Sequence, residues 1–278
     1  MSYQQYRPTS YSLLPVVVKN LLIINGLLFL ADTVFEQRLG FSIGQKFALY
    51  YPTSEFFNPV QFVTHLFLHG SFMHLFSNML ALWMFGTVLE NYWGPKRFIT
   101  FYFVCGLGAA GILTLVNWFE LEQIWNTIHL YSSAPNPMDF EALINKGFLR
   151  HYNTPDMLTF LDGWKSMPGN MEMAAQSVAL VEQVADIKAN IPTVGASGAV
   201  MGLLLAFGML FPNQIIYLYF ALPIKAKYFV ILYGLFELYS GVSNNPNDNV
   251  AHFAHIGGML FGFILIKLWN KKNREHFY

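Results

Sequence analysis

The stretch FFNPVQFVTHLFLHGSFMHLFSNMLALWMFGTVL, residues 56 to 89, contains no Asp, Glu, Lys or Arg, yet it carries His65, His69, His74 and Asn78. A charge-free run of this length suits lipid, since about 20 apolar residues span a bilayer core and a charge at its centre costs about 2.5 to 3.5 kcal/mol. As one continuous helix it would place His65 and His69 on one face and His74 and Asn78 nearly opposite. Gly70 and Ser71 divide it, because glycine breaks a helix and serine is a good N-cap for one starting at Phe72. The spanning helix is therefore expected from Phe72 to about Glu90. His74 then sits in its first turn and Asn78 one turn deeper, with His65 and His69 in its outer approach.

Further charge-free runs lie at Phe98 to Phe119, Ala189 to Ile224 and Asn249 to Ile266. Val16 to Phe35 adds a fifth, with Lys19 and Asp32 near its ends where side chains can snorkel, and Tyr228 to Val242 a shorter sixth that contains Glu237. The expected fold is an all-α membrane protein of six transmembrane helices. Composition agrees: of 278 residues 54% are hydrophobic and only 12% charged, about half the charged share of a soluble domain. Sixteen basic and sixteen acidic side chains cancel, so no nucleic-acid partner is indicated, and the single Cys105 excludes an internal disulfide or a multi-cysteine zinc site.

Lys and Arg placement sets the orientation. Arg7, Lys19, Lys96, Arg97, Lys225, Lys227, Lys267, Lys271, Lys272 and Arg274 fall on one side, against Arg38 and Lys46 in the short connections on the other. Both termini are expected in the cytoplasm, in a multi-pass protein of a bacterial cytoplasmic membrane. No cleavable signal is visible, so the first segment is expected to stay as an anchor. Residues 120–192 look different. Prolines 135, 137, 155 and 168 punctuate amphipathic pieces, and Ala174, Val178, Val181 and Ala185 recur at helical spacing. They are expected to form an external helical insertion between the third and fourth spans of a single domain, 1–278. No internal repeat supports a transporter.

The polar residues inside these spans carry the chemistry. A helix opening near Thr193 or Gly195 puts Ser197 in its first turns, and one opening near Val250 puts His255 about as deep. Both run inward from the outer face, as the helix of His74 does, so three polar groups share one depth. Gly198 and Gly202, with Gly258 and Gly262, would let the helices of Ser197 and His255 approach closely. Serine beside a neutral imidazole supports acyl transfer, with the Ser197 N–H, His74 and Asn78 as donors to a developing oxyanion. No acidic third member is expected, because Glu237 reads as deeper and turned toward neither partner.

Plainer readings exist for each residue. GASGAVMG, Gly195 to Gly202, is a helix-packing stretch in its own right, and the histidines can be interhelical hydrogen-bond glue. His129, His151 and His276 read as solvent-side. His252 and His255 suggest a metal at i,i+3, but no HExxH and no close carboxylate completes a zinc set. None of these readings explains the shared depth.

Three motifs in order, HGSFMHLFSN (His69 to Asn78), GASG (Gly195 to Gly198) and AHIGGMLFG (Ala254 to Gly262), resemble those of the rhomboid intramembrane serine proteases. FGTVLENYWGPKRFITFY, Phe85 to Tyr102, is similar to the family's connection between the second and third helices. The resemblance implies a rhomboid-like six-helix bundle that needs no cofactor and cleaves transmembrane protein substrates within the bilayer. It makes Ser197 the nucleophile, His255 the general base, His74 and Asn78 oxyanion residues, and Gly258 and Gly262 close-contact positions. His252, one turn outward, becomes a supporting or packing residue. Met201 replaces an aromatic common in the family, the first loop lacks a Trp-Arg pair, and the third loop is greatly expanded. A catalytically silent rhomboid-like binding or quality-control factor is the alternative.

Overall fold

The computed structural model describes residues 11–151, 153–218, 221–243 and 250–274. Arg7, Asn249 and His276, and the side chains of His151, Lys271, Lys272 and Arg274, lie outside that description. In chain order the helices are α1 (Val16–Leu39), α2 (Ile43–Phe47), α3 (Gln61–Thr64), α4 (Phe72–Trp93) and α5 (Pro95–Ser133). They continue as α6 (Pro137–Asn145), α7 (Pro155–Ser166), α8 (Met171–Ala189) and α9 (Ser197–Leu210). A hairpin of β1 (Ile215–Leu218) and β2 (Leu222–Lys225) leads to α10 (Ala226–Ser243) and α11 (His252–Arg274).

Among the described residues four helices, Val16–Leu39, Phe72–Trp93, Pro95–Ser133 and His252–Asn270, are long and apolar enough to cross a membrane, and α9 is a shorter apolar helix. With α10 they make a mostly helical, multi-pass membrane protein. The division at Ser71 is visible in detail: its backbone is extended and its hydroxyl accepts the His74 N–H at 3.1 Å, so α4 begins at Phe72. A π-helical turn at Leu82–Gly86 interrupts α4 before it ends at Gly94, whose φ of 79° suits glycine.

Two element boundaries differ from the hydropathy reading. The run Ala189 to Ile224 holds only the 14-residue α9, about 21 Å long, followed by the hairpin in which Ile216 pairs with Ile224. Absence of charge marked the apolar stretch but not where its backbone changes form. The third span continues without a break to Ser133, because Glu120 and Glu122 are good helix formers and nothing breaks the helix before Ala134-Pro135.

The chain divides into two compact units. In the first (Met1–Leu49, Asn58–Thr114, Pro192–Tyr278) α9 and α11 pack extensively against each other. A methyl group on Gly258 would overlap the Gly198 carbonyl, one on Gly202 would overlap the Cys105 side chain, and one on Gly262 would lie 3.3 Å from the Gly202 Cα. Backbones meet there directly. At the other end of the unit the buried Glu90 carboxylate, at the foot of α4, accepts the N–H groups of Val17 (2.9 Å) and Val18 (2.8 Å). These are unsatisfied donors of the first turn of α1, where helix polarity favours a negative charge.

The second unit (Tyr50–Phe57, Leu115–Ile191) has α6, α7 and α8 capped by Asn136, Thr154 and Asn170 side chains. Its core centres on Trp164 and Phe140, with ring centroids 6.0 Å apart. Val181 and Ala185 of α8 are fully buried, with Ala174 and Val178 packed against that core.

Candidate active site

Ser197 is the first residue of α9, so its N–H has no partner within the helix and points out of the helix start. The turn before it is fixed from two sides: Leu49 and Thr193 exchange backbone hydrogen bonds at 2.9 Å, and the Gly195 N–H donates to the His65 carbonyl at 2.9 Å. Gly195 is thus not a helix-packing residue. It has φ of 128°, and a Cβ there would lie 2.8 Å from both Cε1 and Nε2 of His74. Only glycine lets the imidazole of His74 rest against this turn.

Across the α9–α11 contact the His255 Nε2 lies 2.8 Å from the Ser197 Oγ. Since α9 is shorter than a hydrocarbon core of about 30 Å, its start can lie below the surface only where the non-helical backbone before it is buried in protein or lines a water-filled cavity. A cavity of about 20 Å³, room for one water, is lined by His65, Thr193, Gly195 and Ser197 among others. Asn78 is buried one turn below His74 and donates its side-chain N–H to the His74 carbonyl at 3.0 Å. Ser197, His255 and His74 therefore converge on the Gly195 turn, with Asn78 beneath His74.

His65 and His69, in the segment that precedes α4, are both buried. The His65 Nδ1–H donates to the Gln61 carbonyl at 2.8 Å, which leaves Nε2 as its bare nitrogen. Burial pushes His65 down to about 4 despite that bond. It pushes His69 down to about 3, helped by the neighbouring His74 ring, whose centroid is 5.0 Å away. Both imidazoles are neutral at pH 7.

One participant was misjudged from sequence. Glu237 is not remote from the pair: its Oε2 lies 2.9 Å from His255 Nδ1 and 2.6 Å from His252 Nδ1, and the three side chains are buried together. The carboxylate that a metal set seemed to lack is therefore present, and Glu237, His252 and His255 hold ligand-type atoms within 4.8 Å of one another. Depth was the source of error. Counted from Ser243, the end of α10 that leads to α11, Glu237 is six residues in, about 9 Å, which matches the opening turns of α11. The usable signal was that an acid in an apolar helix needs a partner, and the histidine pair is the nearest candidate.

The sequence matches a family model described as the Rhomboid domain over residues 57–120 and 171–271. Residues 121–170, which fall between the two matched blocks, include α6 and α7. An uncharacterized mitochondrial rhomboid protein of Schizosaccharomyces pombe is 24% identical over 221 residues, 76% of this chain and 52% of that protein. RHOMBOID-like protein 12, mitochondrial, of Arabidopsis thaliana is 23% identical over 198 residues, 70% of this chain and 42% of that protein. The chain spans about half the length of the curated relatives it matches. With the family model covering more than half its residues, the chain belongs to the rhomboid family.

Proposed function

We propose that this chain is an intramembrane serine endopeptidase that hydrolyses peptide bonds in or next to transmembrane segments of other membrane proteins. The observation that carries the reading is the 2.8 Å contact between Ser197 Oγ and His255 Nε2 at the start of a short helix. A substrate segment must unwind to present one peptide bond, since helical carbonyls and amides are engaged with one another. Ser197 Oγ attacks the scissile carbon while His255 Nε2 takes its proton, and the carbonyl electrons move to oxygen. The Ser197 N–H and the imidazole of His74 stabilise that oxyanion, each such donor being worth about 2.7 to 4 kcal/mol, with Asn78 supporting His74 from below. Collapse breaks the C–N bond, and the Nε2 proton leaves with the new amine. Water from the cavity beside His65 then hydrolyses the acyl-enzyme, His255 again serving as base.

The Lys and Arg bias supports both termini on the cytoplasmic side, with Ser197 and residues 120–192 opening to the other. A bacterial cytoplasmic membrane fits this orientation. The names of the two relatives assign those proteins to mitochondria. A silent binding factor would not need a serine and an imidazole at hydrogen-bond distance. A fluorophosphonate probe separates the two: it is expected to label the wild-type protein and not Ser197→Ala, with substrate cleavage lost in parallel. Folded wild-type protein that neither labels nor cleaves would leave the binding-factor reading in its place.

A further inference from the structure

We propose that Glu237 is a positioning residue for His255, so that the site operates as a Ser197–His255–Glu237 triad with His252 holding the carboxylate in place. The inference rests on the protease reading above and adds to it a third member, supplied by α10. An ionised carboxylate only accepts hydrogen bonds, so both histidines that face its Oε2 through Nδ1 must carry their proton there. For His255 this fixes the tautomer: Nδ1 is protonated and Nε2 bare, as required to accept the Ser197 proton at 2.8 Å. When that proton arrives an imidazolium forms, and the adjacent carboxylate offsets its charge without taking the proton itself.

The two histidines share the carboxylate unequally. His252 donates in line at 2.6 Å, whereas the His255 contact at 2.9 Å lies off its N–H direction. His252, three residues earlier on the same helix face, thus anchors Oε2, and a small rotation of the His255 ring completes the second bond. Resting active sites often hold such bonds loosely and tighten them around substrate. Tyr233, one turn before Glu237, flanks the carboxylate on α10.

Two other roles for this cluster make different predictions. Metal bonds of about 2.1 Å in tetrahedral geometry hold their ligand atoms about 3.4 Å apart. The 2.6 and 2.9 Å separations here suit shared protons instead. A plain latch tying α10 to α11 would, when cut, loosen the bundle and speed substrate access. The triad predicts the opposite sign.

The test uses full-length protein in detergent and in liposomes. It follows the maximal rate and the half-saturating concentration of Ser197 labelling by fluorophosphonate, beside cleavage of a transmembrane substrate and the thermal unfolding midpoint. Glu237→Gln keeps the shape and is expected to lower the maximal labelling rate about 100-fold or more, with half-saturation little changed. His252→Asn, which presents an N–H near the former Nδ1, is expected to stay within about threefold of wild type, and His252→Leu to fall about tenfold. A Glu237→Gln protein that labels at the wild-type rate, or faster, overturns the triad. If that variant does not fold, equal rates for folded His252→Asn and His252→Leu overturn it instead. Absence of Ser197-dependent labelling in the wild type would defeat the protease reading itself, which separates the two failures.

Discussion

Where α9 meets α11, Gly258 faces the Gly198 carbonyl with no space for a methyl group. At the centre of the second unit Trp164 and Phe140 fill the space among α6, α7 and α8, with Ala185 and Val181 completing the core. One interface is closed by removing side chains and the other by supplying them. Between helices in lipid, burying apolar area gains little because the tails are as apolar as leucine, so close van der Waals contact and hydrogen bonding must hold the bundle. In the second unit the polar caps and large buried rings are those of a water-type core, where area removed from solvent does the stabilising. The geometry of the candidate site depends on the first kind of contact, since the separation of Ser197 from His255 is set by how closely α9 and α11 approach.

The largest expected effect comes from Gly258→Val. Its side chain would collide with backbone, so we expect more than about 3 kcal/mol of destabilisation and loss of Ser197 labelling, read by thermal unfolding in detergent and by the probe. Retained labelling would show that α9 and α11 need not touch. Trp164→Ala is expected to cost the second unit about 3 to 5 kcal/mol, visible as protease cuts within residues 115–191. Equal loss in the membrane helices would mean that the two cores melt as one.

The smallest effect is one of pH. His65 and His69 are held below the unfolded histidine value of about 6.5, to about 4 and about 3, so the unfolded chain binds more protons on acidification. Stability is therefore full above pH 6.5 and falls as pH drops through that value toward 4. Between pH 7 and 6 each histidine should cost less than about 1 kcal/mol, and a His65→Gln protein should show a flatter slope. A slope unchanged by that substitution would place the His65 ring in water.

Much of this is legible in the sequence. Ser71 announced the start of α4 through its capping chemistry, and depth counting alone brought His74, Ser197 and His255 to one level. The motifs for those elements are local, and local chemistry is what a sequence displays. Glu237 escaped because α10 is apolar on its lipid side and its protein side alike, so periodicity could not tell which way the carboxylate faced. The short α9 and its hairpin escaped for a related reason: β2 contains Pro223, and no clean alternation separates strand from helix in a run without charges. Gly195 was visible as a small residue, but its positive φ belongs to a turn whose shape is set by Leu49 and His65, far away in sequence.

The carboxylate of Glu90 also bears on how the chain assembles. α1 leaves the ribosome before α4, and the acceptor for its opening amides is made more than 70 residues after them. Until then α1 must keep those groups near interfacial water. Its final seating thus waits for the far end of α4, and a chain truncated before residue 90 lacks the clasp that joins α1 to α4.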